Sequence, residues 1–440
     1  MLSLKKIKDN TCYAQADLQV LPHLTKRLTN KTLNQLVQED VFLFPETLQE
    51  SEDVTGDQFI LQSIDENYRT SNIMGFLAFE NEQLIIASRF SKGKYDYFFQ
   101  YLLQRTLRLP NILNDQTVAN PNEQVLSLLS FLFPHYLKLA MRKGIFKTYV
   151  LHKYNDNDVK GTIDISRHIK INTPFIGSVA YHQREFSYDN NLTELIRHTI
   201  EFIKSQSYGS QLLKNVKNEV TAIVEITQDY EFHNREKVLR KNNEHPVKHA
   251  YFREYGDLQR LCSMILKHKK YQMGFGKERV QGILFDGAWL WEEYLNSLIG
   301  DWFYHPMNRS KKGKQWLFQN NKGEIFPDFI GQSEFPNRIV ADAKYKPTKN
   351  IHGKDYLQLL AYMFRFDAKK GFYLYPEKEN HQVEELKLNQ GTSYEQNVQA
   401  RNDIAVFKYG LKIPNEVINY DDFVRQIKRN EQDFVSRIAE

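Results

Sequence analysis

Two stretches, Ile325 to Ile330 and Arg338 to Tyr345, have the apolar character of strands, and charge breaks each of them where strands otherwise bury apolar side chains. Asp328 follows Pro327 in the first; Asp342 and Lys344 flank Ala343 in the second. Side chains two apart on a strand leave the same face, so Asp342 and Lys344 project together, and a neighbouring hairpin strand can bring Asp328 beside them. Converging carboxylates repel unless a cation lies between them, and hard oxygen ligands suit Mg²⁺ or Mn²⁺. The ammonium of Lys344 can orient or activate a water and offset charge on a pentavalent phosphorus. Phosphodiester hydrolysis needs that set of parts. A single Asp or Lys at a strand end is ordinarily structural; Pro-Asp followed by Asp-x-Lys in a strand–strand–helix context is a much rarer coincidence.

The flanking segments add candidates. Ile283, Leu284, Ala288, Trp291, Leu295 and Leu298 recur at helical spacing and predict one long helix from about Val280 to Gly300. Glu292 shares a stripe with Ala288, Leu295 and Ile299 and borders its buried face, whereas Glu293 falls on the solvated side, so Glu292 is the one expected to reach a metal cluster. Strand-like runs follow at Gln315 to Gln319, Ile325 to Ile330 and Arg338 to Tyr345, then a helix from Asp355 to Phe366, strands at Gly371 to Tyr375 and Ile404 to Tyr409, and a last helix from Asp421. The order is α-β-β-β-α-β with extra elements. Gln358 and Tyr362 lie one helical turn apart and share a face, from which they can contact a phosphate or hold Lys344; a helix simply packing on the sheet is the alternative.

Further upstream, Gln58 to Phe90 reads as a small β-rich unit followed by a helix from Tyr95 to Leu107, with a linker from Pro110 to Pro121. Val125 to Met141 is an apolar helical pattern interrupted at Pro134. Gly144 to Arg167 reads as an extended hairpin turning near Asn155 to Asp158, and helices are expected over Asn191 to Ile203 and Asp257 to His268. These readings give three units: a β-rich 1–110, a mixed β/helical 111–270, and 271–440 carrying the acidic strands. The 440 residues hold two cysteines, Cys12 and Cys262, too few for a disulfide framework or a four-cysteine zinc site, and no His-Glu-x-x-His occurs. No leader-like or membrane-spanning apolar run appears, which fits a cytoplasmic protein. A formal charge of +5 permits nucleic acid as a partner without demanding it, and local basic runs such as Lys311, Lys312 and Lys314 are candidate phosphate contacts. No Gly-x-x-x-x-Gly-Lys-Ser/Thr is present, so the chain carries no P-loop motor.

Pro327-Asp328, Asp342-Ala-Lys344 and Gln358-x-x-x-Tyr362 together resemble the PD-(D/E)xK nuclease superfamily with its restriction-endonuclease-like fold. More narrowly, Leu290-Trp-Glu-Glu-Tyr-Leu295, Asp342-Ala-Lys-Tyr-Lys346 and Asp355-Tyr-Leu-Gln-Leu-Leu-Ala-Tyr362 are similar to the McrC family, as are Lys160-Gly-Thr-Ile-Asp-Ile-Ser-Arg167 and Arg184-Glu-Phe-Ser-Tyr-Asp-Asn-Asn-Leu-Thr-Glu-Leu-Ile196. Trp291 stands where that family usually has Phe, and Thr162 and Thr193-Glu194 replace commoner Arg and Asn-Arg choices, so contacts made by those residues do not carry over. The resemblance covers roughly Leu126 to Tyr375 and leaves the first 110 residues unexplained.

The resemblance implies a Mg²⁺-dependent DNA endonuclease subunit of a McrBC-type, modification-dependent restriction system. In it Asp328 and Asp342 would bind the metal, with Glu292 and the carbonyl of Ala343 as further ligands, and Lys344 would position the attacking water. Gln358 and Tyr362 would support Lys344. It also implies a separate McrB-like AAA+ GTPase hexamer that reads modified double-stranded DNA and translocates it, with the hairpin from Asn155 to Arg167 as a candidate ring-contacting finger. A catalytically silent adaptor that keeps the nuclease fold and regulates an AAA+ ring is the main alternative. A two-carboxylate glycosidase is more distant, because Lys344 and the lack of an aromatic sugar platform do not suit it.

Overall fold

The computed structural model describes residues 3–37, 40–44, 57–93, 95–106, 121–271, 280–306, 308, 313–332, 338–378, 383–391 and 399–439. Residues 110–120 of the expected linker and two of the basic residues, Lys311 and Lys312, lie outside the described residues. The protein is mixed α and β, and it divides into two compact units: Met1–Asn114 with Gly274–Glu440, and Asp115–Met273. The segments read from sequence as separate first and third units are therefore parts of one unit.

The physical reason is a strand that periodicity assigned to a helix. Ile283 and Leu284 belong to the strand Gln281–Asp286, and the helix begins only at Gly287, running to Ile299. That strand completes a five-stranded sheet in the order Ser3–Lys8, Glu82–Ala87, Ile73–Phe79, Gln281–Asp286, Asp40–Phe44. It pairs antiparallel with Ile73–Phe79 and parallel with Asp40–Phe44. The short apolar run Gly282 to Phe285, buried on both faces, satisfies its backbone in a sheet as well as a helix does, and helical spacing cannot separate the two. Gly282 permits the pairing, since a Cβ there would stand 2.1 Å from the Phe76 carbonyl oxygen. Asp286 then starts the helix by accepting hydrogen bonds from the Ala288 and Trp289 amides. Leu24, Leu28, Leu36, Ile60, Leu77, Ile86 and Leu284 fill the core of this sheet.

A second sheet of six strands has the order Phe303–Tyr304, Phe329–Gly331, Ile339–Ala343, Lys370–Glu377, Gln399–Lys412, Glu384–Gln390. The expected strand at Gln315 to Gln319 is not part of it. Gln315–Phe318 instead pairs with Lys322–Ile325 as a separate hairpin around Asn320 and Asn321, both in the left-handed region, and Phe303–Tyr304 takes the sheet edge. The helix Lys354–Phe366 packs Leu359, Tyr362 and Met363 against Val340, Tyr373 and Tyr375 of the sheet. The crossover from Ile339–Ala343 through this helix to the parallel strand Lys370–Glu377 is a β-α-β unit.

The second unit is largely helical, with long helices at Pro121–Met141, Asn191–Lys204 and Arg253–Tyr271. Asn190 and Thr193 form a reciprocal capping box at the start of the Asn191–Lys204 helix. The expected hairpin is rearranged: Thr148–Asp156 and Thr162–Ile163 do not pair with each other but flank Val179–Ser187 on its two sides. Nine residue pairs join Val179–Ser187 to Thr148–Asp156, and Asp164 caps a short helix, Ile165–Ile171, so the chain past Ile163 turns helical before returning. Among the described residues no helix is long and apolar enough to cross a membrane.

His198 in this unit is 1% exposed. Its ring lies 4.7 Å from that of Tyr230. Burial, reinforced by the positive charges of Arg235 and Arg197, pushes its imidazole down to about 4. Between pH 6.5, its ordinary value, and 4 the unfolded chain takes up a proton that the folded unit refuses, so stability falls as pH drops through that window. The loss is at most about 3 kcal/mol. Urea denaturation followed by far-ultraviolet circular dichroism at pH 7 and pH 4.5 should show it, and His198→Leu should flatten the difference. An equal pH slope in both proteins would rule His198 out as its source.

Candidate active site

The strand Ile339–Ala343 positions the site. Phe329 pairs with Ala341, so Asp328 lies just before the antiparallel strand and beside Asp342. On the other side Asp342 is in register with Tyr373. The Ala343 amide donates to Asp328 Oδ2 at 2.8 Å, which fixes the Asp328 carboxylate against the strand. Asp342 is 1% exposed. Its Oδ2 lies 2.7 Å from Lys344 Nζ, as the two-residue alternation requires.

Lys344 is held from several directions. Its ammonium donates to Gln358 Oε1 at 3.0 Å and stands 3.8 Å from Asp355 Oδ1. Gln358 Nε2 donates to Tyr362 Oη at 2.7 Å, and Tyr362 Oη donates to the Phe326 carbonyl at 3.1 Å. The pair one turn apart thus forms a chain from the ammonium back to the segment carrying Asp328. Tyr362→Phe would leave the Gln358 amide and the Phe326 carbonyl without this partner. The expected cost is about 1–3 kcal/mol in chemical denaturation. An unchanged midpoint would mean that the chain of bonds contributes nothing to stability.

Glu292 reaches the same locality. Burial pushes the Asp328 carboxyl well above its ordinary range, repulsion from Glu292 and Asp342 adds to the shift, and Lys344 and the Ala343 amide only partly oppose it. His305 links the two elements: its Nδ1 donates to the Asp328 carbonyl at 2.8 Å and its Nε2 is 3.6 Å from Glu292 Oε1. Glu293, read as solvated, is half-buried instead. Its Oε1 accepts from Trp289 Nε1 at 3.3 Å and lies 4.0 Å from His305 Nε2.

His305, Asp355 and Lys346 are participants that sequence spacing did not mark. Lys346 Nζ binds both Asp355 oxygens at 2.7 and 2.8 Å, which ties the residue after the turn to the first turn of the helix bearing Gln358. The nearest signal for His305 is its place between the apolar pair Phe303–Tyr304 and Pro306.

Among the described residues no group of three or more His, Cys, Asp or Glu is arranged to hold a metal ion on its own. The donor chemistry still fits Mg²⁺ or Mn²⁺. Mg²⁺ at phosphoryl sites takes one or two carboxylates and fills its shell with water and substrate oxygens. Asp328 and Asp342 supply such a pair.

A family model described as "McrBC 5-methylcytosine restriction system component" matches residues 68–376. No curated protein matches. Among solved structures, the chain is similar to one in a refined half-complex from a tetradecameric assembly of Thermococcus gammatolerans McrB AAA+ hexamers with bound McrC, at 16% identity and a TM-score of 0.47, covering 97% of this chain and 99% of that one. A chain of the Thermococcus gammatolerans McrBC complex is also similar, at 16% identity and a TM-score of 0.32, covering 68% of this chain and 87% of that one. The family match spans the helix of Glu292, both acidic strands and the helix of Gln358 and Tyr362, and the chain belongs to the McrBC 5-methylcytosine restriction system component family.

Proposed function

We propose that this chain is the nuclease subunit of a McrBC-type restriction system, a divalent-metal-dependent DNA endonuclease with a restriction-endonuclease-like core. The observation that carries the reading is the meeting of Asp328, Asp342 and Lys344 at one end of the strand Ile339–Ala343. The sheet order around that strand, with a β-α-β crossover carrying Gln358 and Tyr362, supports the same core.

Asp328 and Asp342 would hold Mg²⁺, with Glu292 completing the shell directly or through water and the Ala343 carbonyl as a further ligand. Bound there, the ion supplies Lewis-acid stabilisation of charge on the phosphate and lowers the pKa of water. Lys344 orients the attacking water and offsets charge developing on the phosphate oxygens. Gln358 fixes the ammonium, and Tyr362 fixes Gln358. His305 sets the distance between Glu292 and the Asp328 backbone. Contacts to DNA would go mainly to phosphates, which makes binding salt-dependent and largely indifferent to sequence.

Nucleotide-driven DNA translocation would fall to a McrB-like AAA+ GTPase ring, since this chain has no P-loop motif, and the family resemblance implies that the ring also reads the modified base. The test is nicking of a 5-methylcytosine plasmid with Mg²⁺, GTP and the AAA+ partner, comparing wild type with Asp342→Ala. Cleavage by wild type alone supports the assignment. Equal cleavage by both proteins would move the chemistry elsewhere, and absence of cleavage by either would favour an adaptor that regulates the ring.

A further inference from the structure

We propose that the N-terminal sheet sets the position of Lys344 and that Arg89 is the positioning residue through which it does so; this rests on the nuclease reading of the site. Beyond Ala343 the chain leaves its strand. The Lys344 amide still donates to the Leu374 carbonyl at 2.9 Å, but the Lys346 amide already turns back to the Lys344 carbonyl at 2.9 Å, with Tyr345 at the apex. A three-residue turn of this kind has little stability of its own. Lys346 at its end is tied to Asp355, and the apex residue Tyr345 is held by residues far earlier in the chain.

Arg89 is 6% exposed. Its Nη2 donates to the Tyr345 carbonyl, its Nη1 donates to Asn72 Oδ1 at 3.0 Å, and its guanidinium carbon stands 4.7 Å from the centre of the Tyr345 ring. Asp9 fixes Arg89 in turn: its Oδ1 accepts the Arg89 amide at 2.5 Å and its Oδ2 lies 3.7 Å from Nε. The Tyr345 hydroxyl pairs with Ser88 Oγ at 2.7 Å, and its ring meets Phe90 edge-on at 5.0 Å. One planar fork therefore binds a carbonyl, an amide and an aromatic face at once, a combination an ammonium cannot reproduce.

The same brace reaches the Glu292 helix. The Asn72 carbonyl accepts the Gly287 amide at 2.9 Å, and Gly287 leaves room for Tyr345, whose Cε1 would lie 2.7 Å from a Cβ there. Asn72, Arg89, Tyr345 and Gly287 thus couple the first turn of the helix bearing Glu292 to the Tyr345–Lys346 peptide, one residue past Lys344. A site that works by electrostatic placement needs its groups held to about half an ångström. This gives the first 110 residues a part in the site without any contact to substrate.

The test uses the full chain with its AAA+ partner, GTP, Mg²⁺ and 5-methylcytosine plasmid. Arg89→Ala should lower kcat roughly 100-fold with the KM for DNA unchanged, and Arg89→Lys should recover part of the loss. Amide hydrogen exchange should rise at residues 344–346 in Arg89→Ala while the Lys354–Phe366 helix stays as protected as in wild type. Leu84→Ala, in the apolar core of the same sheet, serves as the structural control. If it lowers kcat as much as Arg89→Ala does at matched loss of stability, the positioning role is wrong. Wild-type kcat in Arg89→Ala overturns it as well. Where Arg89→Ala does not accumulate folded, Tyr345→Phe removes only the hydroxyl bound to Ser88; it should lower kcat in the same direction, and an unchanged kcat contradicts the brace. If wild type itself does not cut, the nuclease reading has failed, and exchange at 344–346 then decides the brace alone: faster exchange in the variant supports it and unchanged exchange ends it.

Discussion

Lys344→Ala is expected to lower cleavage of a 5-methylcytosine plasmid by roughly 10²- to 10³-fold, the usual size of effect for removing one group that stabilises transition-state charge. The variant has a second signature. In wild type the Lys344 ammonium lies 2.7 Å from Asp342 Oδ2, and Asp342 is 1% exposed. Deleting the cation leaves a buried carboxylate uncompensated, which destabilises a protein by about 3–5 kcal/mol. On the proposed function, Mg²⁺ bound between Asp328 and Asp342 would replace that charge, so added Mg²⁺ should raise the melting temperature of Lys344→Ala more than that of wild type. Cleavage at the wild-type rate, measured at saturating Mg²⁺ and DNA, would remove Lys344 from the chemistry.

Trp291→Ala is expected to cost about 3–5 kcal/mol, a large share of the stability of an ordinary domain. The indole is fully buried, meets the rings of Tyr294 and Phe98 at 5.5 and 6.2 Å, and donates from Nε1 to the Leu374 carbonyl at 3.0 Å. That carbonyl also accepts the Lys344 amide. Truncation therefore opens a cavity, removes a buried hydrogen bond and loosens the strand pairing next to Lys344. Guanidinium denaturation read by the remaining tryptophans, Trp289, Trp302 and Trp316, reports on this unit alone, because the Asp115–Met273 unit contains none. The midpoint should fall with the slope unchanged, and a loss below about 1 kcal/mol would mean that the cavity collapses without consequence.

The parts of the candidate site that follow from short-range geometry are legible in the sequence. Alternation along a strand places Asp342 and Lys344 on one side, and the Pro-Asp step next to a paired strand places Asp328 beside them. Helical spacing likewise put Gln358 and Tyr362 on one face, where they hydrogen-bond to each other. The readings that failed depend on partners distant in the chain. Ile283 and Leu284 fit a helical stripe as well as a strand, and only the presence of Ile73–Phe79 and Asp40–Phe44 on either side makes the strand the better burial. The turn at Asn155 to Asp158 invited a local hairpin, yet Val179–Ser187 competes for the same edges and wins with a nine-residue register. Arg89 and His305 carry no spacing signal, because their roles rest on a backbone carbonyl brought near by tertiary structure.

The proposed chemistry needs a divalent ion held by Asp328 and Asp342 with the Lys344 ammonium beside it. Crystals of the full chain grown with Mn²⁺ and examined by anomalous diffraction test that claim directly. The expected result is an anomalous peak within coordination distance of both carboxylates in wild type and its loss in Asp342→Ala. A peak seated elsewhere, or no peak at saturating Mn²⁺ with both carboxylates ordered, would contradict it.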